Sequence, residues 1–397
     1  MAKPSAPVSK KKTKPQSSAA GPAKSADKVR GKSVDTAGDQ VKLDSVRSKI
    51  DGIDQQIQAL ITERATWAAQ VRAAKGELKA AVEYYRPERE SQILRRVLDR
   101  NQGPLSNEVL LRLFREIMSA CLAQQEPLKV GFLGPEGTFS QQALHKHFGH
   151  SAQALPLASI EEVFQEIESG HADFGVVPVE NSGQGTIQST LDMFLTSKLK
   201  ICGEVELRVH QHLHSRTGRL EDIERVYSHP QSLAQCKAWL RANLPHAEKI
   251  AVSSNAEAAR RARIADDSAA IAGETAGHVY GLKVLAGPIE DRQDNTTRFL
   301  VIGREYFSPS GHDRTSLLVF VRDQPGALYN VLSPFARHGV SMNRIESRPA
   351  HSGRWQYVFF IDVSGHVDDA NVAQAMSELG DFASDVVVLG SYPVALT

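Results

Sequence analysis

The feature that most constrains this chain is a long run of apolar residues at helical spacing between Val41 and Lys75. The members of this stripe recur every three or four positions: Val46, Ile50, Ile53, Ile57, Leu60, Ile61, Trp67 and Val71. At 1.5 Å per residue the predicted helix is roughly 50 Å long, well beyond the usual length in globular proteins. Two shorter helical patterns follow, at 87–100 and 107–125, so the long stripe needs another partner. We predict an all-α domain in which two copies of the chain intertwine.

The remaining length requires further domains, because 397 residues exceed what one hydrophobic core supports. No apolar run reaches the ~18 residues of a membrane span. The three cysteines, Cys121, Cys202 and Cys236, are too scattered for a disulfide framework or a CxxC metal site. We therefore expect a cytoplasmic protein that is not embedded in a membrane.

The formal charge of +1 conceals a basic tail on an acidic body. Residues 1–33 contain nine Lys or Arg and one acid, Asp27, so 38 basic and 45 acidic residues remain of the totals of 47 and 46. The tail is rich in Lys, Pro, Ser and Ala and lacks the apolar core of a signal peptide. We predict a disordered extension over 1–40; contact with nucleic acid is the alternative, and we expect none.

From Lys129 onward the pattern changes to alternating strands and helices. A strand at 129–133 is followed by a turn at 134–137 and a helix at 140–148, which makes a corner of backbone N–H groups suited to an anion. Further elements are predicted at 175–179, 186–195, 225–227, 232–242, 269–271 and 299–302. This alternation predicts an α/β domain with a parallel-rich sheet.

Four polar motifs stand at the ends of these predicted strands, where an open α/β sheet places its ligands. They occupy 134–140, 178–185, 228–236 and 295–299. In this order they resemble the motifs of prephenate dehydratase. The resemblance implies a dehydratase domain over 128–306, built as two lobes around a cleft like the periplasmic-binding-protein fold.

The dehydratase reaction removes the ring carboxylate of prephenate as CO2 and its ring hydroxyl as water. By resemblance, the hydroxyl of Thr297 meets the departing hydroxyl group. Arg298 is expected to clamp a substrate carboxylate and Phe299 to form an apolar wall. The other expected substrate-binding residues are Thr138, Ser140, Asn181, Ser182, His229 and Gln231. Taken singly, Asn181 could belong to a turn, His229 to a helix cap and Thr297 to a strand edge.

The alternation His210, His212, His214 places three imidazoles on one face of a predicted strand. No further ligand stands at a metal-motif spacing. We therefore predict no metal and no cofactor.

The helical region over 41–126 is similar to the helical chorismate mutase family, through 43–51, Glu63-Arg64 and 87–90. Arg64 and Lys75 are three turns apart and share a face, whereas Arg47 is rotated by about 100°. In the family the arginine corresponding to Arg47 reaches into the site of the partner subunit.

Chorismate rearranges intramolecularly, so its enzyme needs neither nucleophile nor metal but must stabilise charge on the breaking ether. The resemblance assigns the carboxylate clamps to Arg47, Arg64 and Arg89. By the same resemblance, Lys75 and Gln125 donate hydrogen bonds to the ether oxygen, and Glu90 accepts one from the ring hydroxyl. The chain departs from the family at Cys121, often serine, and at Arg86-Pro87, where an acidic residue is common; the effect on the mutase rate is left open.

The segment 313–397 has the predicted order βαββαβ, which is that of the ferredoxin-like α+β fold. Its motifs 325–328 and 345–349 resemble the ACT regulatory domain of phenylalanine-controlled dehydratases. The resemblance implies a phenylalanine site formed by Gly326, Ala327, Leu328, Glu346, Ser347, Arg348 and Pro349. A module that only dimerises, without a ligand, is the alternative.

Together these patterns predict a bifunctional enzyme that rearranges chorismate to prephenate and converts prephenate to phenylpyruvate, with inhibition by phenylalanine. We expect a homodimer and leave pairing into tetramers open. One alternative is a monofunctional dehydratase with a degenerate helical dimerisation domain. Another is a non-catalytic sensor of small acids.

Overall fold

The computed structural model describes residues 36–75, 85–124, 127–322, 324–349 and 356–396. The described residues divide into two units, one that ends at Leu60 and one that begins at Ile61. Helix α1, Thr36–Lys75, begins in the first unit and ends in the second. Its apolar stripe is exposed, with Leu60 at 63% and Trp67 at 59% of their full accessible surface. No helix among the described residues combines the length and apolar character that crossing a membrane would need.

Helices α2, Pro87–Arg100, and α3, Asn107–Ala123, follow the sequence signals closely. Proline at the first position of α2 suits a helix start because its missing N–H needs no partner there. The Ser106 hydroxyl caps α3 by accepting a hydrogen bond from Val109 N at 3.4 Å. One face of α2 is buried, with Leu94 and Val97 at its centre.

The first sheet of the α/β region has the strand order β2-β1-β3-β11-β5, with β4 paired to β3. Its strands are β1 Lys129–Leu133, β2 Gln153–Leu157, β3 Phe174–Asn181, β4 Gly185–Thr186, β5 Lys200–Arg208 and β11 Thr296–Gly303. Pairing is parallel between β1 and its two neighbours, and antiparallel on both sides of β11. Helices α4 Phe139–Phe148, α5 Ile160–Glu168 and α6 Gln188–Phe194 accompany these strands.

The second sheet has the order β10-β6-β9-β7-β8. Its strands are β6 His212–Ser215, β7 Arg225–Ser228, β8 Glu248–Ala251, β9 Ser268–Ala272 and β10 Lys283–Ala286. The accompanying helices are α7 Pro230–Gln235, α8 Lys237–Asn243, α9 Asn255–Ala262 and α10 Glu274–Tyr280. The chain leaves the first sheet after β5 and returns to it with β11, so each sheet forms its own lobe. Both sheets are mixed, whereas the sequence predicted a parallel-rich sheet.

The third sheet has the order β13-β14-β12-β15. The elements succeed one another as β12 Asp313–Arg322, α11 Ala327–Arg337, β13 Met342–Pro349, β14 Gln356–Ser364, α12 Ala370–Leu379 and β15 Asp385–Pro393. Gly326 is the N-cap of α11, and its φ of +81° favours glycine.

The first and third sheets share one hydrophobic core. Val177 and Leu300 of the first sheet lie in the same buried cluster as Leu318 and Phe360 of the third. At the contact of β5 and β15, a Cβ built on Gly390 would lie 2.1 Å from the carbonyl oxygen of Ile201. Only glycine allows this approach of two backbones.

Candidate active sites

A cleft of about 530 Å³ lies between the first and second sheets. It is lined at the ends of strands, as expected for an open α/β sheet. The first lobe contributes the turn after β1, the end of β3 and the start of β11; the second lobe contributes the turns after β7 and β8. Of the expected residues, it brings together Thr138, Ser140, Asn181, His229, Gln231, Thr297 and Phe299.

Thr297 lies on β11 directly opposite Asn181 on β3, and both side chains are buried. The Oδ1 of Asn181 accepts a hydrogen bond from Gly183 N at 3.0 Å, so its Nδ2 is the donor on the other side. This Nδ2 donates to Thr297 Oγ1 and to Asn295 Oδ1, both at 2.8 Å. Thr297 is therefore an acceptor towards Asn181, which leaves its own hydroxyl proton free to be donated into the cleft.

The first helix of the cleft, α4, begins at the turn that the sequence predicted as an anion corner. Thr138 Oγ1 donates to the Leu133 carbonyl at 3.1 Å, so this hydroxyl stabilises the turn. Gly137 has a φ of +86°, and a Cβ there would lie 3.1 Å from the Cα of Ala276 in the second lobe. Ser140, which lines the cleft, is 6% exposed.

His229 follows β7 and caps α7. Its Nδ1 accepts from Gln231 N at 3.3 Å, so the proton of the neutral ring is on Nε2. The His229 backbone N–H is held by Asn255 Oδ1 at 3.0 Å. The sequence reasoning missed Asn255, together with Gln211 and Asn295, which also line the cleft. Asn295 lies within the motif at 295–299, whereas Asn255 and Gln211 lie outside all four motifs.

The structure corrects the expected position of Arg298. Consecutive residues of a strand point to opposite faces of the sheet. Thr297 and Phe299 face the cleft, so Arg298 lies on the other face, where it bonds to Glu204 and Asp362 at 2.8 and 2.7 Å. Burial alone would lower the pKa of Arg298, but Tyr392, Asp362 and Glu204 raise it above its ordinary value. None of the described residues that line the cleft is Lys or Arg.

Ser182 is also placed differently from the expectation. Its Oγ donates to the Asp294 carbonyl at 3.3 Å and accepts from Thr296 N at 3.0 Å. These bonds join the segments that follow β3 and precede β11. Ser182 is not among the residues that line the cleft.

The predicted mutase residues that the structure describes lie on α1 and α2. Arg47 is exposed and lies 3.5 Å from Asp44. Arg64 is half-buried and Arg89 exposed. Lys75 is the last residue of α1, and Gln125 lies outside the described residues.

Glu90 is the predicted mutase residue with the most perturbed environment. Burial raises its pKa from 4.5 to about 7, and the charges of Arg115 and Arg64 oppose this rise. Arg115 of α3, which the sequence reasoning did not select, approaches Glu90 at 3.7 Å. Arg64 and Glu90 are thus within electrostatic range of one another.

The predicted phenylalanine-binding residues divide into two groups. Gly326, Ala327 and Leu328 form the start of α11, and Leu328 is 42% exposed. On β13, residues alternate: Ser347 and Pro349 are exposed, whereas Glu346 and Arg348 face the dehydratase region. The Glu346 carboxylate accepts from Thr186 Oγ1 at 2.9 Å, and Arg348 Nη1 lies 2.5 Å from Asp192.

The three histidines on and before β6 do not act as a set. His210 bonds to Glu290 at 2.8 Å, while the rings of His212 and His214 stack with centroids 5.9 Å apart. Within the described ranges, no group of three or more His, Cys, Asp or Glu side chains is arranged to hold a metal ion.

Comparison with known proteins identifies the family. Three family models match in order: "Chorismate mutase type II" over 46–126, "Prephenate dehydratase" over 130–306 and "ACT domain" over 315–381. A bifunctional chorismate mutase/prephenate dehydratase of Stutzerimonas stutzeri is 51% identical over 359 residues, which cover 89% of this chain and 98% of the relative. The chain belongs to the bifunctional chorismate mutase/prephenate dehydratase family.

Two solved structures resemble about two thirds of this family member. The prephenate dehydratase of Arthrobacter aurescens, solved in complex with L-Phe, is 36% identical, with a TM-score of 0.62 over 67% of this chain and 90% of that chain. A protein described as a novel type of quorum-quenching acylase is 29% identical, with a TM-score of 0.63 over 67% and 98% of the two chains.

The predicted family and enzyme class are confirmed by these matches. The protein is an enzyme with chorismate mutase, prephenate dehydratase and ACT domains. The full-length match to bifunctional enzymes favours this function over a non-catalytic sensor and over a degenerate helical domain. The domain boundaries predicted from the sequence stay predictions.

Proposed function

We propose that Thr297 is the proton-donating group of the dehydratase site, that Asn181 orients it, and that solvent returns the proton to Oγ1, since the overall reaction consumes one proton. The observation that carries this proposal is the 2.8 Å bond from Asn181 Nδ2 to Thr297 Oγ1 inside the cleft. Because Oγ1 accepts this bond, its hydroxyl proton is available to the ring hydroxyl that leaves as water. The same bond stabilises the partial negative charge that develops on Oγ1 during the transfer.

The reaction follows from the electron flow. The bond from the ring to its carboxylate breaks, CO2 leaves, and the electron pair moves through the ring as the carbon–hydroxyl bond breaks. Aromatisation drives both cleavages, so the enzyme must orient the ring and assist the hydroxyl. We assign the ring contact to Phe299, which lines the cleft and is 1% exposed.

The substrate carboxylates require partners other than Arg298. We propose hydroxyl and N–H donors at the start of α4, including Ser140, and the Nε2–H of His229 in the opposite lobe. Uncharged donors suit a carboxylate that must leave as neutral CO2. A cation bound to that group would stabilise the substrate more than the transition state, in which its charge moves into the ring.

For the mutase, we propose that a second copy of the chain covers the exposed stripe of α1. The apolar side chains Ile50, Ile53 and Ile57 are each about half exposed along this helix, and a contiguous apolar face of this length indicates an interaction surface. By family resemblance, Arg47 of one copy then completes the site of the other, beside Arg64, Lys75, Arg89, Glu90 and Gln125. The expected assembly is a homodimer in the cytoplasm, and pairing of dimers into tetramers stays open.

For regulation, we propose that phenylalanine binds the third domain at the start of α11 and at β13. Two observations support this: the relative from Arthrobacter aurescens was solved with L-Phe, and the N–H groups at the start of α11 suit an amino-acid carboxylate. Leu328 then contacts the aromatic ring.

Both activities are tested on the purified full-length protein by following chorismate loss and phenylpyruvate formation. Thr297→Ala should abolish phenylpyruvate formation while prephenate accumulates. Thr296→Ala, at the neighbouring position outside the cleft, is the matched control and should retain activity. Arg64→Ala should lose chorismate turnover but keep the dehydratase. A Thr297→Ala enzyme with dehydratase turnover near that of wild type would refute the proposed role.

A further inference from the structure

A buried polar cluster joins the first and third sheets beneath the strand that carries Thr297. Each of the three guanidinium nitrogens of Arg298 has its own partner: Nε bonds to Glu204 at 2.8 Å, Nη1 to Asp362 at 2.7 Å, and Nη2 to the hydroxyl of Tyr392 at 3.0 Å. The Glu204 side chain and Tyr392 have no exposed surface, and the Arg298 side chain is 11% exposed.

The cluster is closed by two side chains of β12 in the third sheet. Ser316 Oγ donates to Asp362 Oδ1 at 2.6 Å, and Arg314 pairs with Glu204. Two arginines thus face two carboxylates, so the charges balance. In a buried pair, removal of one partner leaves an uncompensated charge, which is strongly unfavourable. A movement of Asp362 must therefore either carry Arg298 with it or break the pair.

A second contact of the third domain lies next to Asn181, the donor of the hydrogen bond to Thr297. Thr186 of β4 donates to Glu346 and accepts from Arg344 Nη2, both at 2.9 Å. The backbone of β4 pairs with the end of β3 at Asn181. The third domain therefore contacts the strand of Thr297 through Asp362 and the segment of Asn181 through Glu346.

Arg298 and Thr297 are consecutive residues of a regularly paired stretch of β11. This strand pairs with β5 without a shift from Thr296 to Val301. On its other side the register with β3 shifts: Arg298 lies opposite Glu180 and Phe299 opposite Pro178, so Val179 of β3 has no partner. A displacement of the Arg298 backbone is therefore transmitted directly to Thr297.

From this geometry we infer that Arg298 is a positioning residue that couples the ligand state of the third domain to the orientation of the Thr297 hydroxyl. This inference rests on the proposed dehydratase site and on the proposed inhibition by phenylalanine. Allosteric coupling requires that the two states differ in specific contacts, and the bond between Arg298 and Asp362 is the contact assigned here.

The test uses Asp362→Asn in the full-length enzyme, because this change keeps the side-chain volume and lies outside the cleft. Glu378→Gln is the matched control: it removes a carboxylate of the same domain that pairs with Arg337 on α11, away from the cluster. The measurements are kcat and KM for prephenate, the phenylalanine concentration for half-inhibition, and phenylalanine binding by calorimetry.

We expect Asp362→Asn to keep KM within about threefold but to raise the half-inhibition concentration by at least about fivefold, the lower end of typical coupling. Phenylalanine should still bind, and its affinity should no longer depend on prephenate, because coupling is reciprocal. Glu378→Gln should behave as wild type in all of these measurements.

Three results would overturn the inference. If Asp362→Asn only lowers the melting temperature and leaves inhibition intact, the cluster is merely structural. If Arg298→Lys raises KM more than tenfold while inhibition is unchanged, Arg298 is a substrate ligand. A wild-type enzyme that phenylalanine binds but does not inhibit would remove the proposed regulation itself, and the inference with it.

Discussion

Replacing Asn181 by aspartate should reverse the hydrogen bond on which the proposed chemistry depends. In the wild type, Asn181 Nδ2 donates to Thr297 Oγ1 at 2.8 Å. A carboxylate cannot donate, so the threonine would donate to it instead. A hydrogen bond to a charged group contributes about 1.5–3 kcal/mol. Since each 1.36 kcal/mol changes a rate tenfold, kcat should fall about 13- to 160-fold.

Asn181→Ala provides the comparison, because it removes the orienting donor without adding an acceptor. Loss of a neutral hydrogen bond of about 0.5–1.5 kcal/mol should reduce kcat only about 2- to 13-fold. Initial rates of phenylpyruvate formation from prephenate, corrected for the uncatalysed reaction, measure both variants. The rate of Asn181→Asp should also rise at low pH, where its carboxyl group becomes a donor again. Equal rates for the two variants at neutral pH would refute the assigned direction of the bond.

Further outcomes concern packing, protonation and the cleft. Gly390→Ala should lower the free energy of unfolding by roughly 3 kcal/mol or more, because its Cβ would lie 2.1 Å from the Ile201 carbonyl oxygen. Thermal denaturation measures this change, and an unchanged melting temperature would contradict the prediction. Glu90 has a pKa raised from 4.5 to about 7, so the folded state binds the proton more tightly, and stability should fall by up to roughly 3 kcal/mol as pH rises from about 4.5 to 7. Glu90→Gln should flatten that dependence in denaturant titrations, and an identical slope would rule out the raised pKa. Ser182→Ala should leave KM for prephenate within about twofold, since the Ser182 hydroxyl bonds to the Asp294 carbonyl and to Thr296 N, with a longer 3.5 Å contact to Asn295 Oδ1. A tenfold rise would place Ser182 in the site.

Local signals predicted the helical region well. Pro87 begins α2, and Ser106 caps α3 as its residue type indicates. The expected order of strands and helices in 313–397 also agrees with the elements observed, because each has its own periodicity and turn residues. The start of α1 at Thr36 rather than Val41 is a boundary that apolar spacing cannot define, since no apolar residue marks it.

The arrangement of the cleft was only partly predictable. The motifs located Thr297 and Asn181, but their direct pairing depends on β11 inserting between β3 and β5, and pairing between strands so far apart in sequence leaves no local pattern. The position of Arg298 is different, because alternation along a strand already puts its side chain on the face that Thr297 does not occupy. The sequence reasoning treated the triplet as one site, although the period of two puts Arg298 on the other face of the strand, and Arg298 does not line the cleft.

The position of β11 has a consequence for how the enzyme is made. This strand completes the middle of the first sheet, yet it leaves the ribosome only after the entire second lobe. Until then β3 and β5 have exposed edges, which are sites for incorrect pairing. We expect Thr297 to reach its place as one of the last steps of folding, after both lobes have largely formed.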